Sequence, residues 1–139
     1  MAVAIVGTII LLLCLAVVVA VAKDHGPTPE DVAVSYEHAW DQLDYTALFT
    51  LSAAELHDGL DRKQFVAAKR RAYAERQELR GLAAHIVADD VAVRGDDAIV
   101  TTRVDLRDGS IVHNAVGLVR RNARWQVASY AMAPGAPTA

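Results

Sequence analysis

Residues 91–106 read VAVRGDDAIVTTRVDL, and the period of this stretch decides the fold. Val100, Val104 and Leu106 fall on one face together with Thr102, every second residue, which is the spacing of a half-buried β-strand. The segment GDD, residues 95–97, turns the chain between two such runs, so the stretch is a hairpin. The same period continues in both directions. Upstream, AAHIVADDVAVR (83–94) predicts one or two strands, interrupted near Asp89 and Asp90. Downstream, RDGS (107–110) predicts a turn into IVHNAVGLVR (111–120), and RNA (121–123) a last tight turn before RWQVASYAM (124–132).

Before Leu82 the period is that of helices. Thr28 is placed to cap a helix that has Pro29 at its first position and Glu30 and Asp31 at the positive end of its dipole. Val32, Tyr36, Ala39, Trp40 and Leu43 recur at helical spacing, which predicts a helix to about Leu43. YTALFTLSAAEL (45–56) predicts a second short helix, and HDGLD (57–61) a turn. Asp61 then caps a third helix expected to run to about Arg80 and stop at Gly81, burying Phe65, Ala68, Ala72 and Leu79. Helices first and a meander of strands afterwards give an α+β domain over residues 29–132, because a sheet cannot bury one face alone and the helices are its cover.

Ahead of this domain, residues 1–22 form an unbroken apolar run in which Thr8 is the one mildly polar side chain. As a helix it would be about 33 Å long, enough to cross a bilayer core. We read it as an uncleaved transmembrane anchor. The alternative is a cleaved signal, with Ala20-Val21-Ala22 as the small-x-small site and secretion after cleavage at Ala22. Leu13 before Cys14 argues against a lipoprotein signal. Lys23 is followed by no Lys or Arg before Arg62, so no basic flank holds the domain in the cytoplasm, and an extracytoplasmic, single-pass arrangement is expected. Residues 23–28 are the linker, and residues 133–139 (APGAPTA) a disordered tail.

Composition narrows the function. Beyond the 22-residue leader roughly 115 residues remain, which suits a single core. The net charge of −3 gives no pull toward nucleic acid. The one cysteine, Cys14, lies in the leader, so thiol catalysis and cysteine-bound metal are excluded from the domain. The five histidines, His25, His38, His57, His85 and His113, include no pair at i+3 or i+4, so no metal site and no cofactor are expected.

On these residues the chain resembles the nuclear transport factor 2-like superfamily of cone-shaped α+β domains. SYEHAWDQLDYTALFTLS (35–52) is similar to its first helix, acidic turn and second helix, VAVRGDDAIVTTRVDL to its long hairpin, and VGLVRRNARWQVASY (116–130) to its closing hairpin. Asp44, Tyr45, Leu48, Phe49, Leu51 and Ser52, followed by Gln64-Phe65-Val66, resemble the non-catalytic N-terminal domain of some penicillin-binding proteins. Membrane-tethered proteins associated with lipid import share the plan. These resemblances imply a spacer or docking module of the bacterial cell envelope, with a protein partner or a second copy of itself, and no catalytic residue.

The same superfamily contains ketosteroid isomerases, which implies a second reading: a cone that binds a small apolar ligand or acts on it. Tyr36, eight residues before Asp44, resembles the isomerases' oxyanion-hole tyrosine, and Glu55, His57 and Asp58 stand near where their base would fall. Tyr36, Trp40 and His113 are therefore the candidate pocket-lining residues, His113 because it shares a strand face with Ile111 and Val119. The third helix is basic, with Lys63, Lys69, Arg70, Arg71, Arg76 and Arg80, offset in part by Glu75 and Glu78. That face is either solvated or meets anionic lipid or an acidic partner.

Overall fold

The computed structural model describes residues 26–133. The apolar run 1–22, the cleavage site at Ala22, linker residues 23–25 and tail residues 134–139 lie outside the described residues. Among the described residues no helix is long and apolar enough to cross a membrane.

Helix α1 spans Pro29–Asp41 and begins as its sequence predicts. The Asp31 N–H donates to Thr28 Oγ1 and the Thr28 N–H to Asp31 Oδ2, each at 3.2 Å, a reciprocal capping box that satisfies two otherwise orphaned donors. Leu43 turns the chain with a φ of 51°, and Asp44 caps α2 (Tyr45–Leu51) by accepting from the Ala47 N–H at 3.1 Å. The end of α2 is pinned to the sheet, where the Ala53 N–H donates to the Val127 carbonyl at 2.7 Å.

Helix α3 spans Arg62–Ala72, with Asp61 and Gln64 forming a second capping box. It ends eight residues before the expected Arg80. Tyr73 explains the early stop: it packs edge-on to Trp40 at 5.6 Å and stacks beside Tyr45 at 6.3 Å, so the chain bends inward there. A single 3₁₀ turn, Gln77–Leu79, then leads to Gly81, whose N–H donates to the Asp41 carbonyl at 2.8 Å. Of the four residues expected on the buried face of this helix, Phe65 alone is fully buried; Ala68 and Leu79 are half-buried and Ala72 is exposed.

The four strands are β1 (Ala83–Arg94), β2 (Asp97–Leu106), β3 (Ile111–Arg121) and β4 (Arg124–Met132). They pair antiparallel in the order β1-β2-β3-β4, the meander that the turn signals imply. The interruption near Asp89 is a β-bulge within one continuous strand. Ala88 pairs with Thr102 and Asp90 with Thr101, which leaves Asp89 as the extra residue. Two further irregularities lie in β1–β2 between Ala83 and His85 and in β3–β4 after Gly117, and such bulges bend the sheet. Asn122 and Ala123, at φ of 51° and 61°, make the two-residue left-handed turn that suits the twist of a hairpin.

Helices cover one face of this sheet. Val32, Ala33, Tyr36 and Ala39 of α1 and Leu48 of α2 close over Ala98, Val100, Val116, Leu118 and Val127 in a single core. Among the described residues nothing covers the opposite face, and Ile99 and Ile111 stand on it more than half exposed.

Candidate functional site

Three neighbouring strands each place one polar side chain on the covered face. Thr102 of β2 lies directly opposite Asn114 of β3, and Tyr130 of β4, paired with Val116, sits diagonally from Asn114. From above, α1 brings Glu37 down onto this group, one helical turn after Ala33. The Thr102 hydroxyl donates to Glu37 Oε1 at 2.7 Å, and the Asn114 amide donates to the same oxygen at 2.9 Å. The Tyr130 hydroxyl donates to Glu37 Oε2 at 2.6 Å and accepts from the Asn114 amide at 2.9 Å.

Glu37, Thr102 and Asn114 are all buried. A carboxylate there would be costly without partners, and the three donors supply the compensation that water would give outside. Burial pushes the Tyr130 hydroxyl far above the ordinary tyrosine value, helped by the adjacent Glu37 carboxylate. Burial likewise raises Tyr36, whose ring meets that of Tyr130 edge-on at 5.1 Å. The sign for stability follows. The folded chain holds both protons where the unfolded chain releases them, from about pH 10 upward. Stability is therefore full below that pH and falls as the pH rises further. Burial also raises Tyr45, which lies outside the network. An alkaline titration followed at the tyrosinate absorbance should therefore show three of the four tyrosines ionising above the ordinary range, Tyr36 and Tyr130 only as the near-ultraviolet dichroism is lost; normal ionisation of all four in the folded chain would contradict this network.

Beside the network an apolar pocket of about 210 Å³ opens between the end of α1 and the first three strands. Trp40, Leu82, Ile86, Val104 and Val112 form its walls, and Glu37 and Asn114 contribute its polar edge. Asp41 at the rim is already engaged, its Oδ1 accepting from the Ala83 N–H at 2.8 Å. The Trp40 indole N–H is buried beside the Tyr36 hydroxyl without a hydrogen bond of good geometry. A larger depression, about 560 Å³, lies at the opposite end of α1 between Pro27, Pro29, Arg120 and Trp125 and gathers no acid–base pair.

The three residues proposed from sequence do not converge. Trp40 lines the pocket. Tyr36 is buried in the core and is not part of the pocket wall. His113 does not line the cone: it lies on the uncovered face, 3.6 Å from the bulge residue Asp89. Strand β3 carries apolar side chains at both parities, and the covered set is Asn114, Val116 and Leu118 rather than Ile111, His113 and Val119. The isomerase-like bases are also elsewhere. Glu55 is exposed and paired with Arg121 at 3.0 Å, a hydrogen bond that holds it below the usual carboxylate range. His57 stacks on Phe49 at 3.8 Å, and Asp58 sits in a turn at a φ of 55°.

Sequence reasoning missed Glu37, Thr102, Asn114 and Tyr130. The available signal was a polar residue at an inward position in each of four elements, with Glu37 one turn beyond Ala33. Among the described residues no group of three or more His, Cys, Asp or Glu is placed to hold a metal.

No protein-family model matches this chain, and no curated protein matches it. Solved structures do. A candidate nuclear transport factor 2-like transpeptidase from Campylobacter jejuni superposes with a TM-score of 0.56 at 15% identity, over 73% of this chain and 97% of its own. A SEC-C motif containing protein from Rhodopseudomonas palustris gives 0.53 at 17% identity, over 74% of this chain and 77% of its own. A nuclear transport factor 2-like protein of unknown function from Silicibacter pomeroyi gives 0.48 at 17% identity, over 73% and 90%. The chain has the nuclear transport factor 2-like fold.

Proposed function

We propose that this chain is a membrane-anchored, non-enzymatic interaction domain of the bacterial cell envelope. The observation that carries the reading is the saturation of Glu37. Both oxygens of the one carboxylate at the floor of the cone are taken by Thr102, Asn114 and Tyr130, so neither is presented to a substrate as an acid or base. The adjoining pocket, about 210 Å³, is below the roughly 300–1,000 Å³ of ordinary small-molecule sites. The anchor rests on the apolar run 1–22 and its charge flanks.

A second reading, a small apolar ligand held in the cone, is favoured by the pocket's apolar walls. An isomerase-like mechanism has no support in this geometry, since Tyr36 and the carboxylates of Glu55 and Asp58 do not meet in one cavity.

Two measurements test the proposal. Intact mass of the chain in separated membrane and soluble fractions should give the unprocessed polypeptide in the membrane; a chain beginning at Lys23 in the soluble fraction would remove the anchor. Native mass spectrometry of the full chain, released from detergent micelles, should give the polypeptide mass alone. A retained small molecule that disappears in Val112→Phe would replace the interaction domain with the ligand-binding cone.

A further inference from the structure

Helix α3 carries five cations, Arg62, Lys63, Lys69, Arg70 and Arg71, and no carboxylate. The whole chain has a net charge of −3, so with +5 on this helix the remainder is −8. Charge is strongly segregated. The cations in the last turn favour the negative end of the helix dipole and need no other reason to be there. Arg62 and Lys63 are different: they occupy the first turn, where the dipole repels positive charge. Helix stability does not explain them.

Their surroundings supply a reason. Between α2 and α3 runs a groove of about 470 Å³ with Val66 and Ala67 as its floor and Thr46, Arg62, Lys63 and Arg70 around it. A second depression of about 500 Å³ shares Ala67 and Arg70 and continues past Arg71 to Ala74. The two make one trough, about 15 Å along the helix from Arg62 to Ala72 at 1.5 Å per residue and continuing past its end to Ala74. Lys69 is turned away from it, over the rings of Trp40 and Phe65 at 5.6 and 5.3 Å. Arg62 is held in place, its guanidinium over Phe49 at 5.7 Å and bonded to Thr50 Oγ1 at 3.4 Å. Among the described residues Lys63, Arg70 and Arg71 form no ion pair with a carboxylate.

We propose that this trough docks an extended, acidic segment of a partner protein. The inference rests on the interaction-domain reading and names the partner's chemistry. An extended chain of roughly five or six residues, at 3.3 Å each, spans the trough. Alternate side chains then point down onto Val66 and Ala67 and outward to the guanidinium and ammonium groups, so acidic residues interleaved with apolar ones match it. A planar lipid surface meets the ridges of such a trough and leaves its apolar floor unfilled, which favours a peptide.

The test uses the full chain in zwitterionic detergent micelles and a fluorescein-labelled peptide of alternating glutamate and leucine, followed by anisotropy. Binding should weaken roughly tenfold or more as salt rises from about 0.05 to about 0.3 M, and should be lost when glutamine replaces glutamate. The double variant Lys63→Glu/Arg70→Glu should bind about tenfold more weakly or worse, with an unchanged melting temperature, whereas Arg94→Glu, a charge reversal at the far end of the β1–β2 hairpin, should bind as the parent does. Equal loss in Arg94→Glu would mean a diffuse charge effect and overturn the site. So would equal binding of the glutamine peptide, no binding at all, or binding confined to an oligonucleotide or to phosphatidylserine vesicles. A ligand retained in the cone would sink the proposed function while leaving the peptide result unchanged, so the two failures are distinguishable.

Discussion

Replacing Glu37 with alanine is expected to destabilise the domain by about 3–5 kcal/mol, the scale of breaking a buried, hydrogen-bonded charge network. The cost comes from what is left behind. Buried Thr102 would lose its acceptor, buried Asn114 would lose one of its two, and the Tyr130 hydroxyl would keep only Asn114 as a partner. Glutamine is the informative contrast. Its amide oxygen can still accept from Thr102 and Asn114, and the Tyr130 hydroxyl can rotate to accept from its NH2 group. Glu37→Gln should therefore cost less than half as much as Glu37→Ala in urea unfolding. Equal costs would show that the charge itself, rather than the set of satisfied bonds, holds the site together. A near-neutral alanine variant would refute the network as a structural element.

Phe65→Ala is expected to cost about 3–5 kcal/mol, the usual range for deleting a buried phenylalanine side chain. Phe65 is the sole fully buried residue of α3 and the point at which that helix joins the core. It meets Phe49 edge-on at 5.4 Å and His57 at 6.2 Å, with Lys69 above its ring. The remaining attachments of α3 are weaker: the half-buried Val66 and Ala68, the exposed Arg62 over Phe49, Lys69 over Trp40 and the Tyr73 contact at its end. Without Phe65 the helix has little apolar area against the domain, and a helix of this length is not stable alone in water. Hydrogen exchange should show α3 losing protection while β2 and β3 keep theirs, and the basic trough would be lost with it. Uniform loss of protection across the sheet would mean that α3 is integral to the core, contrary to this reading.

The helices that packing left free to follow local rules were legible in the sequence. Thr28-Pro29, Asp44 and Asp61 mark helix starts because a capping side chain and its helix are neighbours in the chain, and all three caps form. The inward face of β2 was equally plain, since Val100, Thr102 and Val104 are buried at alternate positions as their spacing implies, with Leu106 half-buried at the strand end. The end of α3 was not legible. Arg62 to Arg80 has helical composition throughout, and the stop at Ala72 is imposed by Tyr73, which must reach Trp40 and Tyr45 from other helices.

His113 failed for a related reason. In β3 both parities offer apolar side chains, and the choice between them is made by which face α1 covers. The candidate site lay beyond local reading altogether. Glu37, Thr102, Asn114 and Tyr130 span 93 positions of sequence between the two that bond at 2.6 Å. Each alone looks like an ordinary polar residue on a helix or strand. By itself the sequence determined the α+β order, the helix caps, the hairpin turns and the apolar leader, because these depend on residues within one turn or one strand of each other. The tertiary structure decided where α3 ends, which face of β3 is covered and which three polar groups share the one buried Glu37 carboxylate, because those outcomes depend on the register between strands and on the helix laid across them.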